Sequence, residues 1–135
     1  MERSFVMIKP DGVSRGLIGE IVGRFEKKGF KIIEASLIQP DLYTINNHYY
    51  EHKDKDYFND LVAFIMDGKV MALVIEGENV IEVIRVMVGN KDPRCAMPGT
   101  IRGDFANTTT RNIIHASDSI ESSNREIGIW FPNSN

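Results

Sequence analysis

Arg111-Asn112-Ile113-Ile114-His115-Ala116-Ser117-Asp118-Ser119 sets a single histidine behind two β-branched residues and ahead of a Ser/Asp cluster. Paired isoleucines favour a strand, and Ser or Asp just before an apolar-periodic stretch favours a helix N-cap. The spacing therefore predicts a short strand ending at His115 and a helix beginning just beyond it, with the imidazole facing a cleft. Histidine alone has an unperturbed pKa, about 6.5, that leaves it mostly neutral and nucleophilic near pH 7. A histidine considered in isolation is as readily a structural residue bonded to a nearby carbonyl. Its surroundings point to chemistry instead: Arg111 and Asn112 flank it, and Pro98-Gly99-Thr100-Ile101-Arg102-Gly103-Asp104 places an arginine in a turn-rich loop just upstream.

Working outward to the N-terminus, Ser4 to Ile8 reads as a strand cut off by Lys9-Pro10-Asp11-Gly12, a Pro-Asp-Gly turn signal that leaves Lys9 at the strand's end. Leu17, Ile18, Ile21, Val22 and Phe25 form one helical stripe, Glu20 and Arg24 are spaced for an i,i+4 pair, and Gly29 suits the C-terminal cap. Phe30 to Gln39 is a second strand stopped by Pro40. Asp41 caps a helix carrying Leu42, Ile45 and Tyr49, and a further helix carries Tyr57, Phe58, Leu61, Val62, Ile65 and Met66, so the two make a helical hairpin. Val70 to Ile75 is a continuous apolar run, as expected of a strand at the centre of a sheet. Asn79 with Glu82 resembles a capping box for a helix bearing Val80, Ile84, Arg85 and Met87. Periodicity disappears from Gly89 to Thr110, a length of irregular chain that a compact domain usually reserves for function. Ile120, Ile127, Trp130 and Phe131 mark a last helix, with Glu126 on it. This order fits either α/β or α+β and leaves strand direction open.

The chain has 135 residues, 42% of them hydrophobic, which is enough for one domain, residues 1–135, with a self-sufficient core. Its one cysteine, Cys95, rules out an intrachain disulfide framework. Neither a signal peptide nor an apolar run near the ~18 residues of a membrane span is present, so a cytoplasmic location is expected. A net charge of −3 argues against general nucleic-acid binding.

Lys9, Arg85, Arg102, Asn112 and His115 taken together suit attack by a neutral nitrogen on a multiply charged phosphoryl group, where catalysis is mainly positioning and charge stabilisation. A phosphohistidine would then divide the transfer into two half-reactions. Over nearly its whole length the sequence resembles the nucleoside diphosphate kinases. The resemblance runs from Val6-Met7-Ile8-Lys9-Pro10-Asp11-Gly12-Val13 through Arg15-Gly16-Leu17-Ile18-Gly19-Glu20-Ile21 and Pro98–Asp104 to Asn112-Ile113-Ile114-His115-Ala116-Ser117-Asp118-Ser119, the most specific block. It implies an α+β, ferredoxin-like βαββαβ fold: a four-stranded antiparallel sheet, a helical hairpin inserted between the second and third strands, and a C-terminal helix. It also implies transfer of the γ-phosphate of a nucleoside triphosphate, typically ATP, to a nucleoside diphosphate by a ping-pong route, with little discrimination among bases.

On the same resemblance His115 is the nucleophile, Glu126 the carboxylate near its ring and Ser117 the supporting serine. Lys9 and Asn112 meet the sugar hydroxyl and nearby phosphate oxygens, Arg85 and Arg102 take the phosphates, and Tyr57 stands where a phenylalanine usually stacks on the base. Mg2+ would arrive bridging the β- and γ-phosphates, with no dedicated protein metal site. A homo-oligomer, tetramer or hexamer, is implied, with no membrane and no nucleic acid required. The sequence departs from the family pattern in three places. Lys91 replaces a common threonine, Thr108-Thr109-Thr110 makes the second side of the base clamp more polar, and the chain stops soon after Trp130-Phe131.

Three other readings are set against this one. His48-Tyr49-Tyr50-Glu51-His52 fits the H-x-x-E-H zinc pattern, although the chain offers only His115 as a further histidine; otherwise Tyr49 is packing and both histidines are partly exposed. Cys95 with His115 and Asn112 suggests a cysteine hydrolase, but no helix N-terminus is evident to activate the thiol. A non-catalytic nucleotide-binding regulatory module would need the cations but not the His115–Glu126 pair.

Overall fold

The computed structural model describes residues 1–134. Its elements are β1 (Glu2–Ile8), α1 (Pro10–Ser14), α2 (Ile18–Lys27), β2 (Lys31–Ile38), α3 (Leu42–His48), a 3-10 turn (Tyr50–His52), α4 (Phe58–Met66), β3 (Val70–Gly77), α5 (Val80–Val88), α6 (Ile101–Phe105), β4 (Ile114–Ala116) and α7 (Ile120–Trp130). The strands form one sheet in the order β2-β3-β1-β4, and every neighbouring pair is antiparallel. This is the βαββαβ ferredoxin-like arrangement, with α3, the 3-10 turn and α4 inserted between β2 and β3.

Period-2 alternation along the strands sorts the core into two layers. Val6, Ile8, Leu73, Ile75, Ile114 and Ala116 face Ile21 and Phe25 of α2 and Val80 and Ile84 of α5. Phe5, Met7 and Ala72 face Ile45 and Tyr49, Phe64 and Ile65 of α4, and Trp130 of α7. His115 pairs across the ladder with Met7, so alternation points it into the second layer.

Four local expectations are corrected. Lys9-Pro10-Asp11-Gly12 is a helix start rather than a free turn, with Pro10 in the first turn, where its missing N–H costs nothing. Asn79 does not cap α5 with its side chain; it takes a left-handed conformation, φ 51°, which asparagine tolerates. The irregular Gly89–Thr110 stretch contains α6, capped by Thr100, whose hydroxyl accepts from the Gly103 N–H at 3.0 Å. Five residues are too few to display a hydrophobic period. Arg24 pins that helix by an ion pair with Asp104 at 2.8 Å and by lying 5.0 Å above the Phe105 ring. Finally, His115 sits in the middle of β4 rather than at its end.

Gly12 shows how tightly α1 seats against β1 and the chain before β4. A Cβ there would come within 2.7 Å of Ile8 Cγ2 and 3.1 Å of Ile113 Cγ2. Gly12→Ala is expected to lower stability by ~1–3 kcal/mol through overpacking. Thermal unfolding checks this, and an unchanged midpoint would contradict it.

Candidate active site

Ile113 has φ 77° and is fully buried, a conformation that a β-branched residue adopts only under compulsion. The Ile114 N–H donates to the Asn112 carbonyl at 2.9 Å, closing a γ-turn of the rare, left-handed kind around Ile113. Its peptide groups are held from outside: the Ile113 N–H donates to Asp11 Oδ2 at 3.0 Å, and its carbonyl accepts the Lys9 N–H at 2.8 Å. The turn delivers His115 onto β4.

The His115 side chain is about a quarter exposed, at 24%. Its Nε2 lies 2.9 Å from Glu126 Oε1 on α7. A carboxylate only accepts, so Nε2 carries the proton and Nδ1 keeps its lone pair. Glu126 is buried, and the same oxygen accepts the Ser117 hydroxyl at 2.6 Å. Arg125 reaches Glu126 Oε2 at 3.5 Å and donates to the Asn47 carbonyl at 3.1 Å, joining the end of α3 to α7. Ring orientation, tautomer and a nearby negative charge are thus all set for a nucleophilic Nδ1.

The cations gather beside the turn. Lys9 is buried, and its Nζ donates to Asn112 Oδ1 at 2.8 Å. Burial, and then the charge of Arg102, push its pKa down to about 8, partly offset by Asp11. Arg102 is also buried and donates to the carbonyls of Asn112 at 3.3 Å, Gly89 at 3.0 Å and Ile114 at 2.6 Å. Burial and the neighbouring Arg85 lower its pKa to about 10. Arg102 therefore clamps the chain before and after the strained turn, leaving its other N–H groups for a ligand. Arg85 is exposed on α5 and donates to the Ala116 carbonyl at 3.2 Å.

Asn112 is committed on both ends, since its Nδ2 donates to the carbonyls of Thr109 at 2.9 Å and Lys91 at 3.3 Å. Lys91 is thereby brought in through its backbone, while the residue itself is exposed. Tyr57 stands half-exposed at the N-cap of α4. Arg111, the residue after Thr108–Thr110, reaches the same helix with its guanidinium 5.2 Å above the Phe64 ring.

Two polar groups were missed in the sequence. His48 is buried rather than partly exposed, and Tyr49, read as packing, buries its hydroxyl with no hydrogen-bond partner among the described residues. Burial, and then the negative charge of Glu126, raise the Tyr49 pKa well above its ordinary value. His48 meets the His115 ring edge-on, with centroids 4.7 Å apart. The sequence signal was there: Ile45 and Tyr49 share an inward stripe, and a tyrosine at the end of such a stripe carries a polar atom inward.

The zinc reading fails on this geometry. His48 ends α3 and His52 lies on the 3-10 turn, so the two do not share a regular helical face. A different trio, His48, His115 and Glu126, brings ligand atoms within 4.8 Å of one another. Trp130 Nε1 donates to His48 Nδ1 at 3.0 Å, and indole is donor-only, so the proton of the neutral ring is on Nε2. Both nitrogens of His48 are closed to a metal. Cys95 is exposed, and among the described residues no hydrogen bond joins it to His115 or Asn112.

Comparison with known proteins places this chain among relatives that share one name. A family model described as nucleoside diphosphate kinase matches residues 2–135. A nucleoside diphosphate kinase of Exiguobacterium sibiricum is 54% identical over 131 residues, covering 97% of this chain and 95% of the relative. One from Saccharolobus solfataricus is 53% identical over 133 residues, covering 98% and 96%. Among solved structures, a nucleoside diphosphate kinase family protein from Babesia bovis superposes with TM-score 0.94 at 49% identity, covering 97% of this chain and 88% of that one. A halophilic nucleoside diphosphate kinase from Halobacterium salinarum, in complex with CDP, superposes with TM-score 0.95 at 46% identity, covering 98% and 88%. Among the described residues no helix is long and apolar enough to cross a membrane.

Proposed function

This chain belongs to the nucleoside diphosphate kinase family, and from that membership we propose how its residues carry a γ-phosphate from a nucleoside triphosphate to a nucleoside diphosphate. The observation that carries the assignment is the His115 ring, held through Nε2 by buried Glu126 with Nδ1 left free, beside buried Lys9 and Arg102. His115 Nδ1 attacks the γ-phosphorus in line and the bond to the β–γ bridging oxygen breaks. The first nucleoside diphosphate departs, and a second collects the phosphoryl group by the reverse step. Bond formation makes the ring cationic, and Glu126 stabilises that charge while Ser117 fixes the carboxylate. Lys9, Arg85 and Arg102 hold phosphate oxygens. Lys9 and Asn112 meet the sugar hydroxyl, Lys91 lies along the phosphates, and the base rests on Tyr57 with Thr108–Thr110 opposite.

Magnesium fits this donor set as an ion carried on the nucleotide. Glu126 is already engaged by His115, Ser117 and Arg125 and is not free to hold the ion, whose ligands would be phosphate oxygens. When bound, the ion neutralises charge on the β- and γ-phosphates. We assign residues 1–135 to one domain that works in the cytoplasm on nucleoside di- and triphosphates as a homo-oligomer. Leu37, about half exposed on edge strand β2, supports a covered edge.

The test is incubation with γ-labelled ATP and no acceptor. An acid-labile, alkali-stable label on His115, discharged by any added nucleoside diphosphate, is expected. Nucleotide binding without label transfer would instead identify a regulatory module.

The Lys9 ammonium also gives a pH signature. Free of ligand it loses its proton near pH 8, so the KM for nucleotide is expected to rise as pH passes through that value. Lys9→Arg, which keeps the charge, should flatten the rise. The sign for stability is opposite. An unfolded lysine stays protonated up to about 10.5, so between those values the unfolded chain binds the extra proton and stability increases with pH.

A further inference from the structure

We propose that His52 is a positioning residue for the nucleotide base, anchoring the Tyr57 ring by its hydroxyl so that the stacking platform is already in place when a nucleotide arrives. The proposal rests on the reading of Tyr57 as the base platform given above. His52 Nδ1 lies 2.7 Å from Tyr57 Oη, and the two ring centroids are 5.8 Å apart at 51°.

The zinc-like H-x-x-E-H stretch thereby has a use that involves no metal. It lays its rings end to end between the nucleophile and the base platform. His115 meets His48 at 4.7 Å, His48 meets Tyr49 at 4.6 Å, Tyr49 meets His52 at 6.2 Å and His52 meets Tyr57 at 5.8 Å. The inner members are fixed. His48 is tied to Trp130 at 3.0 Å, and Tyr49 is buried in the α3–α4–α7 layer. His52 meets Tyr49 of that fixed pair with the two rings inclined at 66° and holds the outermost ring with Nδ1.

Tyr57 needs such an anchor. It is half-exposed and sits just before α4, with no side-chain cap bond from its own position. Unanchored, an exposed aromatic side chain turns about its first two torsions, and a base that stacks on it must first immobilise it. A phenylalanine at this position would have no hydroxyl for His52 to hold. The bond survives either charge state of the imidazole, because the phenol donates to neutral Nδ1 and accepts from it when the ring is protonated. Its contribution falls on binding of the base and not on attack by His115, which lies at the other end of the row.

The experiment is a double-mutant cycle with His52→Leu, Tyr57→Phe and the pair, read as kcat and KM for purine and pyrimidine diphosphates in the full-length enzyme. Each single variant is expected to raise KM ~3–10-fold with kcat nearly unchanged. The double variant should be no worse than either single one, since both remove the same bond. His52→Gln, whose amide can reach the hydroxyl, should recover most of the lost affinity. Additive penalties, a fall in kcat without a change in KM, or no change in KM would each overturn the proposal. Failure of the parent enzyme to take label from ATP would overturn the phosphohistidine reading instead, so the two failures are distinct.

Discussion

Replacing His115 by alanine is expected to reduce phosphoryl transfer by roughly 10^4-fold or more, with no acid-labile label formed from ATP. The size of the loss follows from the absence of a substitute. The neighbouring ring of His48 cannot take over, since its lone pair on Nδ1 is occupied by Trp130 while Nε2 holds the proton. Burial, and then the neighbouring charges, keep its pKa well below the ordinary value, so the ring stays neutral but closed. Tyr49 is held in its protonated form by burial. Stability should change little, because His115 is partly exposed and Glu126 keeps Ser117 and Arg125. Nucleotide affinity should stay within a few-fold, since the cations and the base platform are untouched. Transfer within tenfold of the parent would show that another group is the nucleophile.

Arg102→Met is expected to lower stability by about 3 kcal/mol, because three carbonyls lose the charged donor that holds them. The guanidinium satisfies carbonyls on both sides of the strained turn and a third at Gly89. Methionine keeps much of the volume but takes the charged donor from all three carbonyls, leaving the Asn112 carbonyl only its bond from the Ile114 N–H. Arg102→Lys should recover little, because a point ammonium cannot serve divergent acceptors as a planar fork does. Urea unfolding reads the stability, and labelling by ATP reads the site. A variant with the parent's midpoint and a mere loss of nucleotide affinity would confine Arg102 to phosphate binding.

The hold of Arg102 on these three carbonyls was not legible in the sequence. An arginine in a loop of Pro, Gly and Thr advertises a ligand contact, and nothing in its spacing reports which carbonyls lie around it. Much else could be read. The stripes at Leu17–Phe25 and Tyr57–Met66, the apolar run at Val70 and the breaker at Pro40 locate helices and strands by periodicity alone. Antiparallel pairing and the inserted hairpin came from the family resemblance, because hydrophobic period carries no strand direction. Burial of His48 escaped notice for a related reason: a polar residue at the end of a helical stripe looks like surface until its partner, here Trp130 on another element, is in place. The α6 helix was too short for its period to show, and its capping threonine was read as part of a turn.

The left-handed turn at Ile113 bears on how far the segment around His115 can be moved. Its shape is imposed by Lys9 and Asp11 from the opposite end of the chain and by Arg102 from α6. Grafted onto another scaffold without those three residues, Asn112–Asp118 would relax to ordinary extended backbone and swing the imidazole away from its carboxylate. The motif is therefore no portable cassette, and a designer who wants the chemistry must transplant the N-terminal strand and its helix start, with Arg102 of α6 and Glu126 of α7, along with it.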